Sequence, residues 1–495
     1  MFDTPAAAFQ LGNACLARGA AAEAIAAFTA CLRLRPTHPA ALFNLANAQL
    51  QAGAVVDSAE TLLRCLRCAP GFGPAYVNLS HVLLRLGLVQ QACAVAADAT
   101  RLVPESVEAW LALGLALHHG GDHAGAVAAY QAALHLAPRH AGALSSLGNT
   151  LRAMGRIQQA LSAHDAAVAA SPAAGPVHAA ARFHRATTLL AAGDYAAGWA
   201  EYEWRWACTG RAPRSPAPPW HGEPLAGQTI LLHAEQGLGD TLQFVRYAPL
   251  VAARGGRVVL QAPPPLVRLL SDLPGISAVL SRDDPLPPFD QHCPLLSLPL
   301  AFGTELHSVP APPAYLRADA AHIAAWRQRL PPGDGPAVGL AWAGLPNLDD
   351  WQARLIDTRR SLEPSALAGL AGLTGIRFIS LQKDRPAPAI DGLPMFDAME
   401  QMRDFADTAA LVATLDLVIA VDTAVAHLAA ALGRPVWLLS RYDGCWRWLH
   451  DRADSPWYPT MRIYRQARPF AWPAVIAQVR QDLEHMLCQR QRAAA

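Results

Sequence analysis

A 34-residue period runs through the N-terminal third of this 495-residue chain and constrains its fold more than any other feature. Proline, glycine and leucine each recur at that interval. Proline cannot continue a helix and glycine suits a turn, so each period predicts two helices that join at the glycine and end at the proline. The three series are Pro36, Pro70, Pro104, Pro138 and Pro172; Gly19, Gly53, Gly87, Gly121 and Gly155; and Leu11, Leu45, Leu79, Leu113 and Leu147.

This pattern resembles the tetratricopeptide repeat, a helix–turn–helix unit of the same period. Small residues recur on both helices of each period, where they let the two helices approach closely. A further unit with a shifted register covers 183–206, and its aromatic end predicts a cap. We therefore expect an α-solenoid over residues 1–208. The small residues are Gly12, Ala46, Ser80, Gly114 and Gly148 on the first helix, and Ala24, Ser58, Ala92, Ala126 and Ala160 on the second.

Polar side chains follow the face that such a solenoid leaves concave, which the first helix of each pair lines. An amide both donates and accepts hydrogen bonds, so a ladder of amides could grip an extended peptide backbone. Alternatively, the amides could tie neighbouring helices together. The residues of this candidate acceptor groove are Asn44 and Asn78 in one series and Asn13, Asn47, His81 and Asn149 in another.

The rest of the chain alternates buried strands with helices. A proline-rich stretch at 209–222 predicts a linker. A strand, a glycine-rich turn and a helix then begin a Rossmann-like domain, expected at 223–335, and the order restarts in a second domain, expected at 336–495 with a terminal helix near 472–487. Strand patterns lie at 229–233, 256–260, 337–342, 376–381, 417–421 and 435–439.

Charge and hydropathy argue against several classes of protein. Forty basic residues stand against 39 acidic ones, so nothing favours binding to nucleic acid or to an anionic membrane. The most apolar stretch, 415–439, is interrupted by Asp416, Asp422, His427 and Arg434, which predicts no membrane span. The chain starts without a secretory signal pattern, and nine scattered cysteines suit a reducing compartment. We expect a soluble cytoplasmic protein.

Two motifs resemble the heptosyltransferase-like glycosyltransferases of family nine. Residues 416–429 are similar to the nucleotide-sugar site of that family, and the turn Gly237-x-Gly239-Asp240, preceded by Gln236, is similar to its N-terminal signature. Stretches at 193–205 and 455–459 look like bacterial proteins that fuse tetratricopeptide repeats to such a transferase. The resemblance implies a GT-B architecture, two Rossmann-like domains with a cleft between them. The expected fold class is therefore α + α/β, a repeat solenoid followed by a GT-B pair.

One expected site would hold the phosphates of the donor. Asp422 ends a strand, and the helix that follows offers free N–H groups and the positive end of its dipole. The resemblance implies that Thr423, Ala424 and Val425 meet the phosphates, and His427 could donate to a phosphate oxygen. Alternatively, Asp422 and Thr423 could simply cap the helix, and His427 could be a core histidine.

A second expected site would activate the acceptor. The resemblance implies that Asp240 is the base that takes the proton of the acceptor hydroxyl while the sugar carbon is attacked. Gln236, Gly237 and Gly239 would form the loop that carries this carboxylate at the cleft. The alternative is that Asp240 only caps the helix at the strand–helix junction.

Further residues are candidates for stabilising the departing phosphate. Arg360 resembles the family's basic loop, while Gln382 and Lys383, the single lysine of the chain, follow the 376–381 strand. Solvated surface charges are the alternative. No Asp-x-Asp triplet occurs, and enzymes of this kind resemble one another in working without metal, so we expect none. The sequence departs from the family at 345–357, where an acidic run replaces a basic one.

Together these features predict a glycosyltransferase that uses a nucleotide-sugar as substrate, needs no other cofactor, and holds its acceptor partly with the repeats. The repeats favour a protein acceptor, and some relatives with this layout act on flagellin. The donor could be an ADP-heptose or a CMP-linked nonulosonic acid. Two alternatives stay open: a lipopolysaccharide-type heptosyltransferase, and a non-catalytic scaffold with a degenerate transferase half.

Overall fold

The computed structural model describes residues 4–210, 215–345, 350–383 and 386–494. They divide into two compact units. The first holds the described residues of Met1–Ala181 and Pro346–Ile356, and the second those of Arg182–Leu345 and Asp357–Ala495. Helical repeats come first in the chain and two parallel sheets follow, which confirms the α + α/β class.

Helical hairpins build the first unit, as the 34-residue period predicts. Each glycine of the repeat series lies at the turn within a hairpin with φ between +73° and +83°, a left-handed conformation that glycine adopts without strain. Each second helix ends just before its proline. The pairs are α1 (Pro5–Ala17) with α2 (Ala21–Leu34), α3 (Pro39–Gln51) with α4 (Val55–Cys68), α5 (Gly73–Arg85) with α6 (Val89–Leu102), α7 (Val107–Gly120) with α8 (His123–Leu136), and α9 (Ala141–Ala153) with α10 (Ile157–Ala170).

The small residues of the repeats lie where the paired helices cross. A Cβ at Gly12 would lie 2.5 Å from Cε1 of Phe28, and one at Gly114 would lie 2.5 Å from Cε1 of Tyr130. The rings of the second helix therefore fill the space that a side chain on the first would take. This close fit explains why glycine, which has no Cβ, stands opposite a ring at these two positions.

The helices after the repeats are α11 (Pro176–Ala192), α12 (Tyr195–Tyr202) and α13 (Arg205–Thr209). From Arg182 onward they pack with the second unit, whereas the repeat pattern extended the expected solenoid to residue 208. The reason is aromatic packing: the fully buried ring of Trp199 makes T-shaped contacts with Phe244, Trp446 and Trp457. These helices belong to the core of the α/β half.

The expected linker at 209–222 is partly paired with the first sheet. The Trp220 N–H donates to the carbonyl of His292 at 2.8 Å, and the Trp220 side chain is buried while its Nε1 donates to the carbonyl of Glu223. Residues 211–214 lie outside the described part of the chain. The tryptophan that closes the proline-rich stretch therefore anchors it, and the end of the stretch is not a free linker.

The first sheet is parallel with the strand order β3-β2-β1-β4. Two of its strands were not predicted, because β3 is only partly buried and β4 reads Gln-His-Cys-Pro without an apolar run. The strands are β1 (Thr229–His233), β2 (Arg257–Ala262), β3 (Ile276–Ser281) and β4 (Gln291–Pro294). The helices are α14 (Leu238–Phe244), α15 (Ala248–Ala252), α16 (Val267–Leu270), α17 (Leu298–Ala301) and α18 (Ala320–Arg329).

The second sheet is also parallel, with the order β10-β9-β8-β5-β6-β7. In chain order from β5 this is the 3-2-1-4-5-6 arrangement of doubly wound Rossmann folds. The short β7 and the arginine-bearing β10 were not predicted. The elements are β5 (Ala337–Ala341), α19 (Trp351–Arg360), β6 (Arg377–Ser380), β7 (Met395–Asp397), α20 (Phe405–Val412), β8 (Leu417–Val421), α21 (Ala424–Ala431), β9 (Val436–Ser440), β10 (Met461–Arg465) and α22 (Trp472–Ala494).

The terminal helix α22 extends beyond its expected end near residue 487. It buries Val475, Val479 and Leu483 in the core beside the second sheet, and charged residues occupy its other face. No helix in the described ranges combines the length and the apolarity that crossing a membrane requires.

Candidate functional site

A cavity of about 310 Å³ lies at the carboxyl edge of the second sheet. The strand order reverses between β5 and β8, and such a switch point opens a crevice outside the strand ends. Segments that follow β5, β6 and β8 line the cavity, and the first Rossmann-like half adds Leu238 and Pro265. Of the expected donor residues, those in the lining are Thr423, Ala424, Val425, Gln382 and Lys383.

The start of α21 forms a polar wall of this cavity. Thr423 precedes the helix in an extended conformation, and its hydroxyl donates to the carbonyl of Val421 at 3.2 Å. The first N–H groups of a helix have no partner within it and carry the positive end of the helix dipole. Because Thr423, Ala424 and Val425 line the cavity, this wall suits an anion such as a phosphate.

Another wall is apolar and was not predicted. Leu381, Met399, Met402 and Phe405 line it. Lys383 is hydrogen-bonded to the backbone of this wall: its Nζ donates to the carbonyls of Met399 at 3.2 Å and of Met402 at 2.9 Å. An ammonium group has three N–H donors, so among the described residues these two bonds leave one for a ligand.

Two other expected donor residues hold the backbone near the cavity. The Oε1 atom of Gln382 accepts from the N–H groups of the two residues that follow β5, at 3.1 and 2.9 Å. Arg360 donates from Nη1 to the carbonyl of Asp422 at 3.1 Å and from Nη2 to Asp357 at 2.5 Å. Both side chains therefore shape the strand ends, and Arg360 does not line the cavity.

His427 lies in the core behind the cavity. Its Nδ1 is 2.8 Å from the Tyr458 hydroxyl and its ring stacks on Trp448, while Nε2 is 3.8 Å from Oδ1 of Asp422. Burial lowers the pKa of His427 to about 4, so the ring is neutral near pH 7. For Asp422, burial opposes ionisation, but attraction to His427 and Arg360 leaves the pKa below its usual value. This geometry favours the core histidine that the sequence left open.

The neutral state of His427 predicts a dependence of stability on pH. Its pKa is about 4 in the folded chain, against about 6.5 in an unfolded one, so the unfolded chain takes up the proton first as the pH falls. Lowering the pH from about 7.5 to about 5 should therefore reduce the free energy of unfolding by about 2 kcal/mol through this histidine. Denaturant unfolding of the wild type and of His427→Gln at both pH values measures this. Equal pH dependence in the two proteins would contradict it.

Asp240 is engaged at both carboxylate oxygens. Oδ2 accepts from the Gly237 N–H at 3.0 Å, as a helix cap does, and Oδ1 pairs with Arg447. The Arg447 guanidinium also donates to Gln243 at 2.7 Å and lies 4.3 Å from the ring centroid of Trp446. The sequence alone did not indicate Arg447 as a site residue. Its position between Trp446 and Trp448 is the feature of the sequence that could have indicated it.

The start of α14 is packed closely against the second Rossmann-like half. A Cβ at Gly239 would lie 2.9 Å from Cδ2 of His427, so a larger residue there would separate the starts of α14 and α21. Gln236 is not part of the cavity lining, and its Nε2 donates to the hydroxyl of Tyr202 at 3.3 Å. Leu238, the first residue of α14 and the one between the two expected glycines, lines the cavity.

Ion pairs join the two Rossmann-like halves beside the cavity. Arg268 on α16 donates to Asp404 at 2.8 Å and also pairs with Asp407. Burial opposes ionisation of Asp404, but the hydrogen bonds from Arg268 and from the N–H groups of Asp407 and Ala406 together outweigh it, so its pKa lies below its usual value. Sequence reasoning missed this bridge, because its partners are 136 residues apart. Within the described ranges, no group of three or more His, Cys, Asp or Glu side chains could hold a metal ion.

In the first unit, the groove amides form pairs between neighbouring repeats. Nδ2 of Asn44 donates to Oδ1 of Asn13, and Nδ2 of Asn78 donates to Oδ1 of Asn47, both at 2.7 Å. The amides thus tie successive helices together, the alternative that the sequence left open. In each pair the donating asparagine keeps its carbonyl oxygen and one N–H for a ligand, and the accepting asparagine keeps its NH₂ group.

The two remaining groove residues, His81 and Asn149, are half-buried on α5 and α9. Burial, together with repulsion from Arg85, lowers the pKa of His81. The expected groove is therefore a row of neutral polar groups at neutral pH, and its strongest internal contacts are the two amide pairs.

Comparisons with known proteins agree with both halves. Residues 16–79, 77–141 and 146–206 match the tetratricopeptide repeat. Residues 402–439 match Glycosyltransferase family 9 (heptosyltransferase). This second segment contains the start of α21, whereas Asp240 lies outside it. The chain therefore joins tetratricopeptide repeats to a segment similar to family 9 glycosyltransferases.

Protein FlbA of Caulobacter vibrioides is 30% identical over 329 residues, which are 60% of this chain and 54% of that protein. The chain thus spans about half the length of this curated relative. Among solved structures, a thermophilic TPR protein of Thermus thermophilus is 27% identical over 38% of this chain and 100% of its own, with a TM-score of 0.33. The MamA protein is 22% identical over 34% of this chain and 93% of its own, with a TM-score of 0.31.

Proposed function

We propose that this protein is a glycosyltransferase that moves a sugar from a nucleotide-sugar donor to a protein acceptor. One observation carries the proposal: the cavity at the carboxyl edge of the second sheet is lined by the start of α21, and this helix lies inside the segment that matches family 9. A phosphate-binding helix start next to an apolar wall suits a donor that has a charged and an uncharged part.

The donor would lie along the cavity with its phosphate at the start of α21. The N–H groups there would meet the phosphate oxygens, and the apolar wall with Met399, Met402 and Phe405 would hold a base or sugar by contact. The third N–H of Lys383 would add a charged hydrogen bond. Both donors considered from the sequence, an ADP-heptose and a CMP-linked nonulosonic acid, carry these two kinds of group.

Asp240 would act as the base. The oxygen of the acceptor hydroxyl attacks the anomeric carbon, its proton passes to Asp240, and the bond from that carbon to the phosphate oxygen breaks. Oδ1 of Asp240 pairs with Arg447, and a carboxylate is a group that can accept a proton. An acceptor hydroxyl that displaces Arg447 would leave that guanidinium beside the cleft, where it could stabilise the charge of the departing phosphate. We propose that these cations serve in place of a metal ion.

A panel of nucleotide-sugars tests the donor assignment. We expect at least one activated sugar with a nucleoside diphosphate or monophosphate to raise the thermal unfolding temperature, since a ligand that binds the folded form stabilises it. Val425→Asp, which places a carboxylate at the phosphate wall, should abolish this shift, and exposed Asp272→Asn is the matched control. No stabilisation by any member would favour the non-catalytic scaffold.

The repeats would present the acceptor, and flagellin is the first protein to test. Changing Asn44, Asn47 and Asn78 together to alanine should weaken acceptor binding about tenfold or more, since each lost amide bond to a peptide backbone costs about 1 kcal/mol. Gln51→Ala, exposed on the same α3 helix, is the control. Binding can be measured by calorimetry with the full chain. Undiminished binding by the triple variant would show that the amides serve only to join the helices.

A further inference from the structure

We infer that the repeat array carries a binding site for a short helix with an aromatic residue and a leucine four positions apart, and that the chain's own residues 351–355 occupy this site. The site lies at the carboxyl ends of α5 and α7. A partner that carries the same pattern would bind by displacing this internal helix. The inference goes beyond the proposed sugar transfer and does not depend on it.

Contacts of three kinds hold the segment on the repeats. The ring centroids of Trp351 and of His119 on α7 are 6.0 Å apart, and the two ring planes are at 64° to each other. Leu355 is 5% exposed and belongs to the apolar cluster of the repeats. Nη2 of Arg354 donates to the carbonyl of Arg85, the last residue of α5, at 2.6 Å. An apolar, an aromatic and a polar contact thus converge on one turn of helix.

The segment is arranged as peptide ligands of helix-binding surfaces are. The carboxylate of Asp350 caps the helix, accepting from the N–H groups of Gln352 at 2.9 Å and Ala353 at 3.2 Å. Residues four apart share one helix face, so Trp351 and Leu355 point to the same side while Gln352 is exposed. Tryptophan and leucine anchors at this spacing are the common way in which an amphipathic helix occupies a groove.

The carboxyl-end surface of the repeats also meets the requirements of such a site. His119 is buried and its ring also contacts that of His118, and the carbonyl of Arg85 at a helix end has no partner within its helix. That carbonyl is therefore a ready acceptor for a basic side chain on the bound helix, the role that Arg354 fills. A peptide with an aromatic residue, an arginine and a leucine at the spacing of Trp351, Arg354 and Leu355 can make the same three contacts.

Tethering explains why a partner would have to compete. A segment attached to the chain that carries its site acts at an effective concentration of about 1 mM. The same peptide added in solution must therefore compete with the chain's own segment for the site. Removing the two anchors from the chain should free the surface and make the added peptide bind at least about tenfold more tightly.

The test uses the full chain and a fluorescent peptide with the sequence of residues 350–361. We expect Trp351→Ala/Leu355→Ala to bind the peptide with a Kd at least about tenfold below that of the wild type. The exposed-site variant Gln352→Ala should behave as the wild type. A peptide that carries the same two alanines should bind neither protein.

Two results would overturn the inference: an equal Kd for wild type and double variant, or no binding by a double variant whose circular dichroism shows it to be folded. If the double variant does not fold, Trp351→Ala alone keeps the buried leucine and should still lower the Kd about threefold. A single variant with the wild-type Kd would then count against the site.

Discussion

Asp240→Asn is expected to lower the rate of sugar transfer at least about a hundredfold, because an amide does not accept the proton of the acceptor hydroxyl. Asparagine keeps the size of the side chain and can still accept from the Gly237 N–H. The phosphate wall at the start of α21 is untouched, so the affinity for the donor should change less than about threefold. Single-turnover transfer and donor titration measure the two quantities separately.

The matched control is Asp272→Asn, an exposed carboxylate in the same Rossmann-like half. It should leave both quantities unchanged. Near-normal turnover of Asp240→Asn would exclude Asp240 as the base, while loss of donor binding as well would point to a structural role through Arg447. The two outcomes are distinguishable because Arg447 contacts Gln243 and Trp446 independently of Asp240.

Trp199→Ala should destabilise the second unit by about 3 to 5 kcal/mol, the usual cost of emptying a buried aromatic site. Its ring is 1% exposed and contacts aromatic rings of α12, of α14 and of the second Rossmann-like half. The space left would border several large rings that cannot collapse into it. Urea unfolding followed by near-ultraviolet circular dichroism reports the loss.

Phe470→Ala serves as the control for this variant, since Phe470 is 47% exposed in the same unit and should cost less than about 1 kcal/mol. A loss below about 1 kcal/mol for Trp199→Ala would contradict the placement of α12 in this core. Such a result would support assigning α12 to the repeats, as the expected boundary at residue 208 does.

Local sequence patterns predicted the repeats well, because the turns and helix ends of the repeats depend on residues that are close together in the chain. Gly19 and its equivalents adopt the left-handed turn that glycine favours, and Pro36 and its equivalents follow the helix that they end. The buried strands β1, β5 and β8 were found for a similar reason, since a parallel strand covered on both faces is a continuous apolar run. The strands that were missed are short, partly exposed or interrupted by polar residues.

The candidate site was predicted less completely, because its chemistry depends on partners far away in the chain. Thr423, Ala424 and Val425 line the cavity as their motif indicated. Lys383 also lines it, yet its bonds to the carbonyls of Met399 and Met402 are visible only in three dimensions. No spacing in the sequence indicated those methionines.

By itself the sequence determined the class of each half: the 34-residue period required helical hairpins, and the strand patterns required parallel sheets. Only the tertiary structure decided which charges are available. Arg447 meets Asp240 across 207 residues, and His427 loses its charge because Tyr458 and Trp448 bury it. Periodicity arises from backbone geometry, which is local, whereas desolvation and pairing of charges depend on every element that packs against a group.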